Sequence, residues 1–252
     1  MTPRVSVVVP AYQEGEGIVP VLERMGEAIK IDAEIVVVVD DENDSTAPFV
    51  REFATRDPRA RLAINTYGRG PANAIKYGMH NASAPVVVVT MADGCDDPFQ
   101  IDLLTRLVER GVVVAAASRY ARSGQQVGGP WAKGFMSRMA GLTLYFFARV
   151  GTRDATNSYK AYSKRFIDSV GVESDKGFEI GIELVAKARR YRQPVAEIPT
   201  IWLDRAFGAS NFKLMAWLPR YLHWYFFSFG PRLSLPTTPN SAVPPTTPEV
   251  SS

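Results

Sequence analysis

Acidic residues gather in three segments, each directly after a short apolar run: Pro10-Ala11-Tyr12-Gln13-Glu14-Gly15-Glu16-Gly17 after Val5 to Val9, Asp40-Asp41-Glu42-Asn43-Asp44-Ser45-Thr46 after Ile35 to Val39, and Met91-Ala92-Asp93-Gly94-Cys95-Asp96-Asp97-Pro98 after Val86 to Thr90. Carboxylates brought together repel, so they call for a cation or for hydrogen-bond donors. A hard divalent ion, Mg²⁺ or Mn²⁺, takes oxygen ligands and commonly uses only one or two protein carboxylates, with phosphates and water completing its shell. Asp93 together with Asp96 or Asp97 suits that chemistry. The competing reading has Asp96 and Asp97 capping a helix that starts near Pro98. Neither a G-x-G-x-x-G after the first run nor a G-x-x-x-x-G-K-[ST] anywhere is present, which removes the main support for nicotinamide and P-loop sites.

The elements that must position these residues follow from the apolar pattern. Val5 to Val9, Ile35 to Val39, Leu62 to Ile64, Val86 to Thr90 and Val112 to Ala116 read as strands. Between them lie helix-length stretches such as Ile18-Val21-Leu22-Met25-Ile29, apolar at intervals of three or four. That is βαβ repetition. Unbroken valine runs, in place of alternation, predict a mostly parallel sheet flanked by helices on both faces. Ligands of such a sheet bind beyond the carboxyl ends of its strands, so the three acidic segments share one rim.

After residue 120 the rhythm changes to a loop at Ser123 to Pro130, a helical stretch, a short segment around Asp154 to Tyr162 and a helix over Gly177 to Tyr191. Phe212 to Phe229 reads as an aromatic helix broken or kinked at Pro219. The expected organisation is one α/β domain over 1–212, an amphipathic helix over 213–233, and a Pro/Thr/Ser tail, 234–252, without core-forming residues and therefore disordered.

With 252 residues, 46% hydrophobic and 22% charged, the chain can bury one sizeable core. A net charge of +3 is too small to indicate a nucleic-acid partner. The single cysteine, Cys95, excludes an intramolecular disulfide or a cysteine-rich zinc site and fits a reducing compartment. The start of the chain lacks a signal-peptide pattern and no window reaches the roughly 18 to 20 apolar residues that span a bilayer. A cytoplasmic protein, peripheral on the inner face of a membrane at most, is expected.

Taken in order, these segments resemble the family 2 inverting glycosyltransferases of GT-A fold, most closely the branch of dolichyl-phosphate and polyprenyl-phosphate sugar synthases. VSVVVPAYQEGEGI is similar to that family's V-P-x-Y-N-E start, and VVVVDDENDST to its V-D-D-x-S-x-D-x-T. Gly68-Arg69-Gly70-Pro71-Ala72 resembles K-G-x-A, and Ala117-Ser118-Arg119-Tyr120 resembles G-S-R-Y. The resemblance spans about residues 4 to 212. It implies that Pro10, Tyr12, Glu14, Asp40, Asp41 and Gly70 line a nucleotide pocket and that Asp93 binds the metal. Ala92-Asp93-Gly94 departs from the family's D-x-D, and the next acid, Asp96, is the candidate second ligand.

Further along, Trp131, Lys133 and Ser137 resemble the family's tryptophan, arginine and serine. Asp154-Ala155-Thr156-Asn157-Ser158-Tyr159-Lys160 is similar to D-x-T-S-G-F-R, and Glu197-Ile198-Pro199 with Arg205, Gly208 and Ser210 to E-V-P...R-x-x-G-x-S. The resemblance implies transfer of a hexose from a nucleotide-diphosphate sugar, GDP-mannose or UDP-glucose in type, to a polyprenyl phosphate. Asp93, Arg119 and Arg205 would be catalytic, with Arg119, Lys133, Ser137, Lys160 and Arg205 holding the acceptor phosphate. A phosphate monoester is largely ionised near neutral pH and needs positioning more than a base. A hydroxyl acceptor would instead need a general base, for which Asp154, Glu179 and Glu183 are the available carboxylates, the last two alternatively forming a solvated face or pairing with Lys187.

Arg189, Arg190 and Arg192 read as a solvated helix end, and His80 and His223 lack metal-ligand spacing. The aromatic stretch from 207 to 229, with Lys213, Arg220 and His223 interspersed, fits a membrane headgroup layer, a core-packed helix or a homo-oligomer interface. Transfer to a glycan hydroxyl and nucleotide-sugar binding without turnover remain the alternative functions.

Overall fold

The computed structural model describes residues 2–204 and 214–236. Arg205, Gly208, Ser210 and the tail from 237 onward lie outside the described residues.

The expected strands form β1 (Val5–Pro10), β2 (Ala33–Val39), β3 (Ala60–Ile64), β4 (Val86–Val89) and β5 (Val114–Ser118). With β7 (Lys160–Ser163) and β8 (Val195–Pro199) they make a seven-stranded sheet ordered β3-β2-β1-β4-β7-β5-β8. A separate parallel pair joins β6 (Gln125–Val127) to β9 (Ile201–Leu203). All neighbours in the large sheet are parallel except β7, which runs antiparallel between β4 and β5. Four residues without a sustained apolar run gave little sign of this strand. Its amino end lies at the rim where the parallel strands end, so the turn leading into it enters the site.

The valine runs are buried because both faces of the sheet are covered. Val5, Val7 and Val9 face a core with α1 (Ile18–Ala28), α2 (Ala47–Arg56) and α4 (Ile101–Glu109). Val8, Val36, Val38, Val87 and Val89 face the opposite core with α3 (Pro71–His80), α6 (Lys164–Val170) and α7 (Ile180–Arg190). Each such valine removed from water contributes roughly 1.5–3 kcal/mol, which sets the register of the central strands.

Helix α5 (Trp131–Thr143) continues into a wider turn over Leu144–Ala148 and ends at Arg149 in the left-handed region, φ 57°. Helix α8 (Leu214–Phe227) contains Pro219 without being divided by it. Trp224 of α8 is buried in the core formed with α7. Arg189 donates to the carbonyls of Ala148 and Gly230, and Arg190 to that of Pro231. These arginines, expected as a solvated helix end, instead fasten the segment after α8.

Candidate active site

Strand order reverses between β1 and β4, and the crevice at such a switch point is where an open α/β sheet takes its ligand. The structure brings Pro10, Tyr12 and Glu14 to the end of β1, Asp40 and Asp41 to the end of β2, and Gly70 to the start of α3. Asp40 accepts from Asn65 Nδ2 through one oxygen and from the Gly70 N–H through the other, both at 2.9 Å. It therefore ties the loop over residues 65–70 to β2. Gly70 has φ 125°, a conformation that selects glycine, and a Cβ there would lie 3.3 Å from the Lys176 carbonyl. Asp41 pairs with the exposed Arg69 at 2.9 Å. Buried Asp44 accepts from the Gln13 N–H, Glu14 N–H bonds Thr46, and Tyr12 stands 57% exposed above this frame. Asn65 escaped the motif reading because it is a lone amide at a strand end.

Beyond β4 the acidic loop divides its residues among different tasks. Asp97 accepts from the Phe99 N–H and caps the turn before α4, in agreement with the capping alternative. Asp93 is half-buried and accepts from the Cys95 N–H at 3.1 Å. Asp96, expected as an open second ligand, turns inward: its carboxylate is buried and accepts from Thr90 Oγ1 at 2.9 Å. Burial, and next the charge of Asp93, push the Asp96 carboxyl up to about 7. Among the described residues no group of three or more His, Cys, Asp or Glu side chains forms a metal cluster. One hard carboxylate with a second behind it still fits a divalent ion whose other ligands are phosphate oxygens and water.

The end of β5 meets α5 and the turn before β7. Arg119 Nε and Nη2 donate to the two oxygens of Asp154, each at 2.8 Å, and the Arg119 N–H donates to the same carboxylate at 3.0 Å. Nη2 also reaches Ser137 Oγ at 3.2 Å, and Ser137 lies 2.7 Å from Thr156 Oγ1. Arg119 and Ser137 are thus brought together, with Thr156 as a partner whose only sequence signal was its place in the Asp154–Lys160 motif. Burial alone would raise the Asp154 carboxyl, but the Arg119 charge and hydrogen bonds outweigh it and hold it below the usual range. Lys133 belongs to the first turn of α5.

Lys160 requires a correction. It is fully buried, donating to the carbonyls of Ala155 and Asn157, and cannot meet an acceptor phosphate in this arrangement. Burial lowers its ammonium to about 7, against the opposing charge of Asp154. The three candidate bases are likewise engaged. Asp154 is buried against Arg119. Glu179 accepts from the Gly177 N–H at 2.9 Å, and Glu183 accepts from the Glu173 and Ser174 N–H groups and from Lys187 Nζ at 2.7 Å. Glu183 does pair with Lys187, but inside the protein and not on a solvated face.

Residues 6–171 match the family model described as Glycosyl transferase family 2. The chain belongs to that family. Across 216 residues the family member is 28% identical to the polyprenol monophosphomannose synthase of Mycolicibacterium smegmatis, covering 83% of this chain and 81% of that protein. It is 30% identical over 215 residues to the dolichol-phosphate mannosyltransferase of Pyrococcus furiosus, covering 83% of this chain and 59% of that one. The undecaprenyl-phosphate mannosyltransferase of Micrococcus luteus is 26% identical, with 82% and 87% covered. Among solved structures, glucosyl-3-phosphoglycerate synthase from Mycobacterium tuberculosis, in complex with Mn²⁺, UDP and phosphoglyceric acid, superposes with a TM-score of 0.67 at 16% identity, covering 92% of this chain and 80% of that one. The likeness establishes the GT-A fold of this glycosyltransferase: a mostly parallel sheet between helices, followed by an aromatic C-terminal helix.

Proposed function

We propose that this glycosyltransferase moves a hexose from a nucleotide-diphosphate sugar, GDP-mannose or UDP-glucose in type, to a polyprenyl phosphate with inversion at the anomeric carbon. The observation that carries the acceptor half is the engagement of Asp154, Glu179 and Glu183: each is buried and bonded, so none is placed to deprotonate a hydroxyl. An ionised phosphate needs no base. It needs positive charge and hydrogen-bond donors that orient one oxygen for in-line attack.

Arg119 and Ser137 are at hand for that orientation, with Lys133 on the same helix as Ser137 and Arg205 proposed as a further contact. On the donor side, the frame of Asp40, Asp41 and Gly70 supports a pocket for base and ribose beside Tyr12. Asp93, with Asp96 behind it, would hold Mg²⁺ or Mn²⁺. When bound, the ion supplies Lewis-acid stabilisation of the charge that grows on the departing diphosphate. The metal-bound solved neighbour and the mannosyltransferase names of the curated relatives support this reading.

The same reading places the protein at a cytoplasmic membrane surface. Trp131, Phe135, Met139, Phe146 and Phe147 on α5 and its extension are exposed, as are Leu222, Phe226 and Phe229 at α8. Tyr225 of α8 donates to Thr143 at the end of α5, 3.0 Å away, so the two elements adjoin. These exposed aromatic and apolar side chains suit a membrane headgroup layer. No helix among the described residues is long and apolar enough to cross a bilayer.

The deciding experiment incubates the purified chain with Mn²⁺ or Mg²⁺, a panel of GDP and UDP sugars and a short polyprenyl phosphate, with glycolipid detected by mass spectrometry. Product that requires the lipid phosphate supports the proposal. Transfer only to a free glycan hydroxyl would replace the acceptor half.

A further inference from the structure

Building on the acceptor reading above, we infer that Glu197 is a positioning residue for the acceptor-phosphate site, acting through Thr152 on Arg119 and through Arg153 on Ser137. Glu197 lies on β8 opposite Ala116 of β5, the strand that leads into Arg119. Its side chain is 11% exposed and forms an ion pair with Arg153 Nη1 through Oε1. Oε2 accepts from the Arg153 N–H at 2.7 Å and from Thr152 Oγ1 at 3.1 Å. One carboxylate therefore fastens two consecutive residues of the turn to the sheet.

From there the influence runs along two branches. Thr152 Oγ1 accepts from the Asp154 N–H at 3.1 Å, so the hydroxyl held by Glu197 also fixes the residue whose carboxylate orients Arg119. On the other branch, the Arg153 carbonyl seats against Gly141 of α5 so closely that a Cβ there would lie 2.0 Å from its oxygen. Ser137 is one helical turn before Gly141. The Arg153 guanidinium also lies 4.2 Å from the centroid of the Tyr145 ring and donates to the Tyr145 hydroxyl, holding the far end of the same helix. Glu197 contacts neither Arg119 nor Ser137, yet the turn it clamps determines the direction of one and the height of the other. A misplacement of about 1 Å in such a pair lowers turnover by up to the order of 10²-fold.

The test uses the full chain carrying Glu197→Gln, which keeps the side-chain shape and one acceptor but loses the charge that holds Arg153, and the milder Thr152→Val, which cuts only the branch to Asp154. Nucleotide affinity is measured by calorimetry with Mn²⁺, acceptor KM and kcat by glycolipid formation, and the ¹⁵N-detected Arg119 Nε–H resonance reports its bond to Asp154. The expected result is unchanged nucleotide affinity, a raised acceptor KM with reduced kcat, and a shifted Arg119 signal in both variants. Glu197→Gln combined with Ser137→Ala should lose little more than the worse single variant, because both act on one constellation. An unmoved Arg119 signal, or parallel losses of nucleotide affinity and thermal midpoint with unchanged acceptor KM, overturns the inference. If the wild-type protein makes no glycolipid, the acceptor reading falls, and the Arg119 resonance alone then decides whether Glu197 positions it.

Discussion

Arg119 and Asp154 form a forked ion pair at the end of β5, in which the carboxylate is fully buried and the guanidinium 13% exposed. The pair is an internal brace as well as an edge of the proposed acceptor site. Arg119→Ala therefore removes two things at once and cannot report on acceptor binding alone.

Asp154→Asn should destabilise the fold by about 3–5 kcal/mol, the cost of leaving a buried charge without its partner. Denaturant titration at neutral pH measures it. The pH dependence has a defined sign: the folded Asp154 carboxyl sits below its ordinary value near 3.8, so its stabilisation is present above that value and is lost as pH falls through the folded value. The wild type should lose this contribution in acid, whereas the amide variant should not. Equal acid sensitivity in the two proteins would contradict the pairing.

Ser137→Ala is the cleaner probe of the acceptor. It removes a half-buried hydroxyl beside Arg119 and Thr156 without stranding a charge, so the thermal midpoint should change little. Acceptor KM should rise roughly tenfold, the effect of about 1.4 kcal/mol, with nucleotide affinity unchanged in calorimetry.

Asp93→Asn should abolish metal-dependent turnover and leave the fold intact. The amide oxygen can still accept from the Cys95 N–H, so the turn survives while the charge is lost. Removing divalent ions from the wild type with a chelator should give the same loss, restored by Mn²⁺ or Mg²⁺. Wild-type rates in the variant with metal present would dismiss Asp93 as a ligand.

Lys160 makes an unusual contribution to stability. Its ammonium, ordinarily near 10.5, titrates at about 7 in the folded chain because it is buried, so between those values the unfolded chain binds the extra proton. Stability should rise with pH through that window, by at most about 1.4 kcal/mol per pH unit from this group. Lys160→Met should flatten that part of the curve in denaturant titrations run from pH 7 to pH 10. An unchanged slope would show that the lysine is charged in place.

Phe146→Ser, Phe147→Ser and Phe226→Ser combined should leave solution stability nearly unchanged, since these side chains are exposed. Co-sedimentation with anionic liposomes should weaken severalfold if the face meets headgroups. Full retention on liposomes would move the membrane contact elsewhere.

The local sequence by itself determined the parallel strands, because unbroken valine runs are stable only with both sheet faces covered, and it determined that the acidic segments share a rim, because each directly follows a strand. The order of motifs likewise disclosed the family. What each charged residue does was decided by tertiary structure. Asp96 and Asp97 are adjacent in sequence, yet one turns into the protein toward Thr90 and the other caps a helical turn. Lys160 looked like a phosphate contact until β7 proved to be an antiparallel strand inserted between β4 and β5, which carries its side chain into the interior. Glu183 and Lys187 at helical spacing predicted a pair but not its burial, which depends on α7 being covered by distant segments. A carboxylate's or ammonium's protonation and reach depend on its solvent exposure and on partners far away in the chain, such as Asp154 for Arg119, 35 positions apart. Motif spacing records neither quantity, and folding supplies both.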